Sequence, residues 1–168
     1  MRKLACDSGV AAIEFALIAP AAILLVVMVM EVSMMFIAQS ALDKGAAAGS
    51  RLLQTGQAQL ASLDIPTLFK DNTCGAADNP NRIPWLNCDG QLQVFTEAFD
   101  DLANVAIPTY EEGSSGSVMV GGPGDFMVVR LYYPWQFMTP IVSRLVTASG
   151  GRIVLSAGAA FRVEDYDQ

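Results

Sequence analysis

The sequence predicts an α+β protein in which a long N-terminal transmembrane and stalk helix precedes a small globular domain. That domain is expected to hold a short antiparallel sheet and covering helices. Three observations carry this. An almost unbroken apolar run fills residues 10–36, with Glu14, Glu31 and Ser33 its only strongly polar side chains. A stretch rich in Ala, Leu and Gln continues it to about residue 54 without a break. Two later segments, "FMVVRLYYPW" and "GRIVLSAGAAFRVEDY", have the β-branched, aromatic and alternating character of strands. The implied organisation is a leader at 1–9, a transmembrane and stalk helix at 10–55, and an exported α+β domain at 56–168.

The first element is a membrane span. About 20 mostly apolar residues cross a bilayer, and residues 10–36 supply more than that. A cleaved secretory signal has an apolar core of only about 7–15 residues followed by a small-residue cleavage site, so a retained anchor fits better. Arg2 and Lys3 precede the run, and no other basic side chain occurs before Lys44. By the positive-inside rule the short N-terminus stays in the cytoplasm and the rest crosses. Pro20 removes one backbone donor within the span and is expected to kink it. Beyond the bilayer, Ala41, Gly45, Ala46, Ala47, Ala48 and Gly49 either admit a neighbouring helix closely or serve only as small helix residues. Glu31, near the far end of the span, is expected to reach the headgroups.

The exported part follows in order. A short helix starts near Pro66, because proline suits the first helical turn. Cys74 and Cys88, an even pair in an oxidising compartment, favour a disulfide around the turn-rich "AADNPNRIPWLNCDG"; two free buried thiols are the alternative. Leu92, Phe95, Phe99, Leu102 and Val105 fall at helical spacing before Pro108, predicting a helix there. A glycine- and serine-rich loop with a short strand at 117–120 comes next. Then come the strand "FMVVRLYYPW", a short helix at "TPIVSRLV", and a last strand alternating Ile153, Leu155, Ala157, Ala159 and Phe161 on one face.

Composition narrows the function classes. The chain has 168 residues, is 52% hydrophobic, carries net charge −7 and contains no histidine. Without histidine the commonest general base is missing. "GSSGS" is no nucleophile elbow, and "GGPGD" lacks the lysine and hydroxyl of a phosphate loop. Two cysteines without histidine make a poor zinc site. No catalytic residue, metal or cofactor is therefore expected, and the acidic exported part argues against nucleic acid. Trp85, Tyr133 and Trp135 are the only candidates for an exposed aromatic patch, and core or turn packing is their commoner role.

One short motif is more specific. "GVAAIEF", Gly9 to Phe15, resembles the processing site of type IV pilins and pseudopilins, where a prepilin peptidase cuts after glycine and a glutamate stands fifth in the new chain. "GVAAIEFALIAP" with its long apolar helix is similar to the TadE-like minor pilins of the Tad (tight adherence) pilus system. So is the C-terminal layout from "VVRLYYPWQFMTP" to the tail at "RVEDY". Together these cover about the first 55 and last 43 residues. Pseudopilins of type II secretion typically carry Phe-Thr-Leu-Ile-Glu after the glycine, so Phe15 and Pro20 favour the Tad side.

The resemblance implies cleavage between Gly9 and Val10, which places a new ammonium four residues before Glu14. A model α-amino pKa of about 7.7–8 leaves that group largely protonated near neutrality. Glu14 would then pair with it, on the same chain or a neighbour, as an assembly register. The implied partners are other pilins or pseudopilins, the pilus assembly platform and the prepilin peptidase. The implied location is the bacterial inner membrane, single pass, with the domain periplasmic and the subunit passing into an extracellular pilus. The alternative is an uncleaved, single-pass periplasmic scaffold, because "CDS" separates Lys3 from Gly9 where many relatives carry arginines.

Overall fold

A computed structural model describes residues 7–76, 78–80, 82–101, 105–146 and 152–165. The basic leader residues Arg2 and Lys3, Leu102 of the expected 92–105 helix, and Tyr166 of the tail lie outside them. The first helix, α1 (Asp7–Gln54), is 48 residues long. At 1.5 Å per residue it measures about 72 Å. It continues through Pro20 as helix. From Val10 to Met30 its side chains are exposed or half-exposed on every side; from Glu31 onward one stripe turns inward. That stripe is Glu31, Ala38, Ala41, Leu42, Gly45, Ala46, Gly49 and Leu53, spaced by threes and fours as one helix face requires.

The domain wraps this stripe. A single turn, α2 (Gln57–Leu60), reverses the chain, and Gly56 before it takes the left-handed conformation at φ 72°. Helix α3 (Ile65–Cys74) then runs back against α1. Asp64 caps it, accepting from the Thr67 amide at 3.1 Å, and Pro66 occupies its first turn as expected. The small residues of α1 serve this contact. A methyl group at Gly49 would stand 2.2 Å from the Phe69 ring, and one at Gly45 would stand 1.9 Å from Thr73 Oγ1. The neighbouring helix that the glycines admit thus belongs to the same chain.

Cys74, at the end of α3, is disulfide-bonded to Cys88, which opens the single turn α4 (Cys88–Gln91). A closed loop of this size contributes about 3 kcal/mol in the chain-entropy account. Inside the loop Ile83 donates to the Cys74 carbonyl at 3.0 Å, and Arg82 pairs with Asp89 at 2.9 Å on the surface.

The sheet has three antiparallel strands in the order β1 (Gln93–Phe99), β2 (Phe126–Trp135), β3 (Ile153–Arg162). The helix expected over 92–105 is therefore wrong in its first half, where the chain is strand. Phe95 and Phe99 lie four apart, a spacing that suits one helical turn and one strand face equally. Val94 and Thr96, β-branched and 1% and 0% exposed, fill the opposite face. Pairing with β2 from Gln93↔Tyr132 to Phe99↔Phe126 decides between the two templates. The strand expected at 117–120 is reduced to a single parallel bridge, Val118 to Thr96, on the outer edge of β1. Gly116 leads into it at φ 97°, its α-carbon so close to the Val94 carbonyl that a side chain would collide.

Val94, Thr96, Met127, Val129, Leu131, Leu155 and Ala157 form the inner sheet face, and α1 lies along β2 and β3 there. The outer face carries Tyr132, whose ring meets Phe95 and Tyr110 edge-on at 5.8 and 6.2 Å. The segment from Pro108 to Glu111 covers part of it: Tyr132 donates to the Pro108 carbonyl, and Gln93 donates to the Glu111 carbonyl at 2.6 Å. Helix α5 (Pro140–Val146) fills the connection between β2 and β3.

Candidate functional site

The chemistry anticipated from sequence is concentrated on α1, and the structure divides its residues into two sets. Gly9, Val10 and Glu14 lie in the first turns, all exposed. Val10 and Glu14, four residues apart, share one face about 6 Å apart along the axis. Among the described residues no hydrogen bond or ion pair holds the Glu14 carboxylate. Around it Ile13, Phe15, Leu17 and Ile18 are 65–75% exposed, an uninterrupted apolar surface. Twenty-one residues from Val10 to Met30 span about 31 Å, close to the roughly 30 Å hydrocarbon thickness of a bilayer. The helix is thus long and apolar enough to cross a membrane.

Glu31 has partners that the sequence did not suggest. Its side chain is enclosed by the domain, and the residue is 4% exposed. One carboxylate oxygen accepts from the Thr139 amide at 2.7 Å, the other from the Met138 amide at 3.2 Å. Both donors precede α5, whose first-turn amides lack partners within the helix. The Glu31 carboxylate satisfies the Met138 and Thr139 amides that lead into the helix and complements the positive end of its peptide dipoles. The two glutamates of α1 therefore have opposite surroundings: one bare and unpartnered, one enclosed and doubly bonded. Sequence reasoning missed this because the partners lie 107 and 108 residues away. Only Thr139-Pro140, a helix-opening pair, hinted at a start needing an acceptor.

The aromatic candidates serve packing. Trp85 and Trp135 meet edge-on with ring centroids 5.9 Å apart. Tyr133 is buried, and its hydroxyl accepts from the Asn87 amide at 3.2 Å, fixing the disulfide-bearing loop over the sheet. Burial raises the Tyr133 pKa above that of a free phenol, and the Asn87 amide partly offsets this. Glu112 is exposed and pairs at 3.0 Å with Arg152, which is also exposed but less so, a contact of little energetic weight.

Comparison with known proteins bears on α1 alone. No curated protein and no solved structure matches the chain. Residues 9–51 match the family model described as TadE-like protein. That interval begins at the glycine preceding Val10, includes Glu14 and Glu31, and ends at Arg51, in the half of α1 against which the domain packs. The N-terminal helix of this protein, from bare apolar span to domain-bearing stalk, is similar to the segment described by the TadE-like family model.

Proposed function

We propose that this chain is a minor pilin or pseudopilin, a structural subunit that helps initiate or assemble a Tad-type pilus, and not an enzyme. The observation that carries the reading is Glu14: a carboxylate with no partner among the described residues, amid exposed apolar side chains, four residues after Val10 in a TadE-like segment. An acid left alone at membrane depth costs about 2.5 kcal/mol or more on insertion scales. Hydrolysis of the Gly9–Val10 peptide bond by a prepilin peptidase leaves a carboxylate on Gly9 and an ammonium on Val10. That ammonium sits one turn from Glu14 on the same chain, and within reach of a neighbour's Glu14 in a helix bundle. Either charge alone is costly to bury, whereas the pair is attractive, so docking in register is favoured over docking out of register. The scissile bond lies inside the first turns of α1, and Gly9, a weak helix former, eases the unwinding a peptidase needs. The subunit would sit in the bacterial inner membrane with its domain periplasmic, and its partners would be other pilins and the assembly platform.

The test has two arms. Mass spectrometry of the membrane-fraction protein should find a peptide beginning at Val10, and Glu14→Leu should abolish filaments while the processed protein persists. Normal piliation in that strain would refute the register role. A second reading, an uncleaved scaffold anchored by the same helix, is favoured by the "CDS" between Lys3 and Gly9; an intact N-terminus beginning at Met1 would establish it.

A further inference from the structure

The segment that Glu31 holds is itself apolar and exposed. Met138, Ile141 and Val146 are 61%, 58% and 51% exposed, while Val142 between them is 1% exposed and faces the core. Short helix α5 is thus two-sided, one side part of the domain and the other oily and uncovered. Its place follows from the two hydrogen bonds. Thr139 lies 2.7 Å from the Glu31 carboxylate, so α5 begins beside the point on α1 where the bare apolar stretch ends. If Val10–Met30 fills the hydrocarbon, that point is the headgroup boundary. Val32 and Phe36, 41% and 67% exposed, continue the oily surface of α1 by about a turn and a half past it.

We propose that Phe137–Val146 is a second membrane contact, with Met138 and Ile141 entering the headgroup–acyl boundary of the leaflet from which α1 emerges. The occupant is the bilayer surface, because the patch is continuous with the span and fixed to it by Glu31. Exposed Arg144, on the same short helix, is suited to reach phosphate groups while its stem lies along the boundary. Another exposed apolar group, Val118, Met119 and Val120, adjoins Gly121, whose carbonyl accepts from Gln59 just past the end of α1. That end lies about 35 Å along the helix from Glu31, so the membrane contact is specific to the α5 end. The domain would then rest on the bilayer, fixed in tilt by two attachments.

The inference rests on the reading of α1 as a membrane anchor, and the experiment separates the two. The full chain, with Cys6→Ser, is labelled with a nitroxide at Ile141→Cys, at Val26→Cys in the span, or at exposed Thr109→Cys, and placed in phosphatidylcholine–phosphatidylglycerol nanodiscs. Collision rates with oxygen and with an aqueous nickel chelate report depth. The oxygen-to-nickel ratio at 141 should exceed that at 109 several-fold and remain below that at 26. A ratio at 141 equal to that at 109, with 26 lipid-immersed, overturns the membrane contact and leaves the anchor standing. An aqueous ratio at 26 overturns both. Shielding of 141 from both reagents, with spin–spin broadening between labels, would mean that a second copy covers the patch, which also overturns the proposal. Met138→Cys gives the same measurement independently if the Ile141 variant misfolds.

Discussion

The two halves of α1 share a helical backbone and an apolar character, yet they are built for different neighbours. Between Val10 and Met30 large side chains point in all directions, and none of these residues is buried. Between Glu31 and Gln54 the inward face is narrowed to Ala, Gly and Ser around Leu42 and Leu53, and the outward face carries Ser40, Asp43, Lys44 and Arg51. The difference teaches what each half expects to meet. Bulky side chains all round suit a solvent of hydrocarbon or the helices of a bundle. A stripe of small residues lets a fixed partner approach backbone to backbone, and here that partner is α3. The glutamates follow the same division: Glu31 has its acceptor role fulfilled within the chain, and Glu14 has no partner among the described residues.

Paired substitutions break or sharpen the contrast. The largest expected effect comes from one residue type in two settings. Leu42 is fully buried and Leu25 is 64% exposed. Leu42→Ala should destabilise the domain by about 2–5 kcal/mol, the usual cost of such a cavity. Leu25→Ala should stay within about 0.5 kcal/mol, as surface changes do. Denaturant unfolding of the full chain in detergent, followed by near-UV circular dichroism, reads both. Equal losses would mean that the N-terminal half also packs on the domain.

Next comes the pair of acids. Glu31→Ala orphans two amide donors and should lower stability by about 1–3 kcal/mol, the desolvation cost of unsatisfied buried groups. Glu14→Ala should leave the same unfolding curve unmoved and act on filament formation instead. A destabilised Glu14→Ala domain would erase the distinction between the two sites.

The smallest effect concerns Asp64, which caps α3 and belongs to the domain side only. Its pKa is held below the ordinary carboxylate value, first by the Thr67 hydroxyl and then by the Thr67 amide. A depressed folded-state pKa gives stability that is present above the unfolded value, near 4, and fades as pH falls through the lower folded value. Acid titration of domain stability should therefore show a slightly shallower decline below about pH 4 in Asp64→Ala than in the parent, because the variant has no such group to protonate. Identical slopes would show that the cap adds nothing measurable from solvent.

Strands β2 and β3 were legible because each is a long run with its own alternation, and α1 because apolar continuity over many turns has no other reading. Pro66 announced α3, because proline suits a first helical turn. Strand β1 was not legible: phenylalanines four apart fit both periods, and the choice fell to β2, about thirty residues downstream. The role of Glu31 was hidden for the same reason at greater range, since its donors are backbone amides, which carry no side-chain signature. The small residues of α1 left open whether anything comes close, and whether it would belong to this chain or another.

The amino acids alone determined a long apolar helix carrying two acids, two strands, and a cysteine pair positioned to close a loop. These are local properties, set by composition and by periods of two and of three to four residues. Tertiary structure decided that the all-round exposed apolar surface of the helix ends at Glu31, that its small residues face α3, and that β1 is a strand. Each of those depends on which groups meet across a hundred residues of chain, where burial and hydrogen-bond satisfaction outweigh local preference.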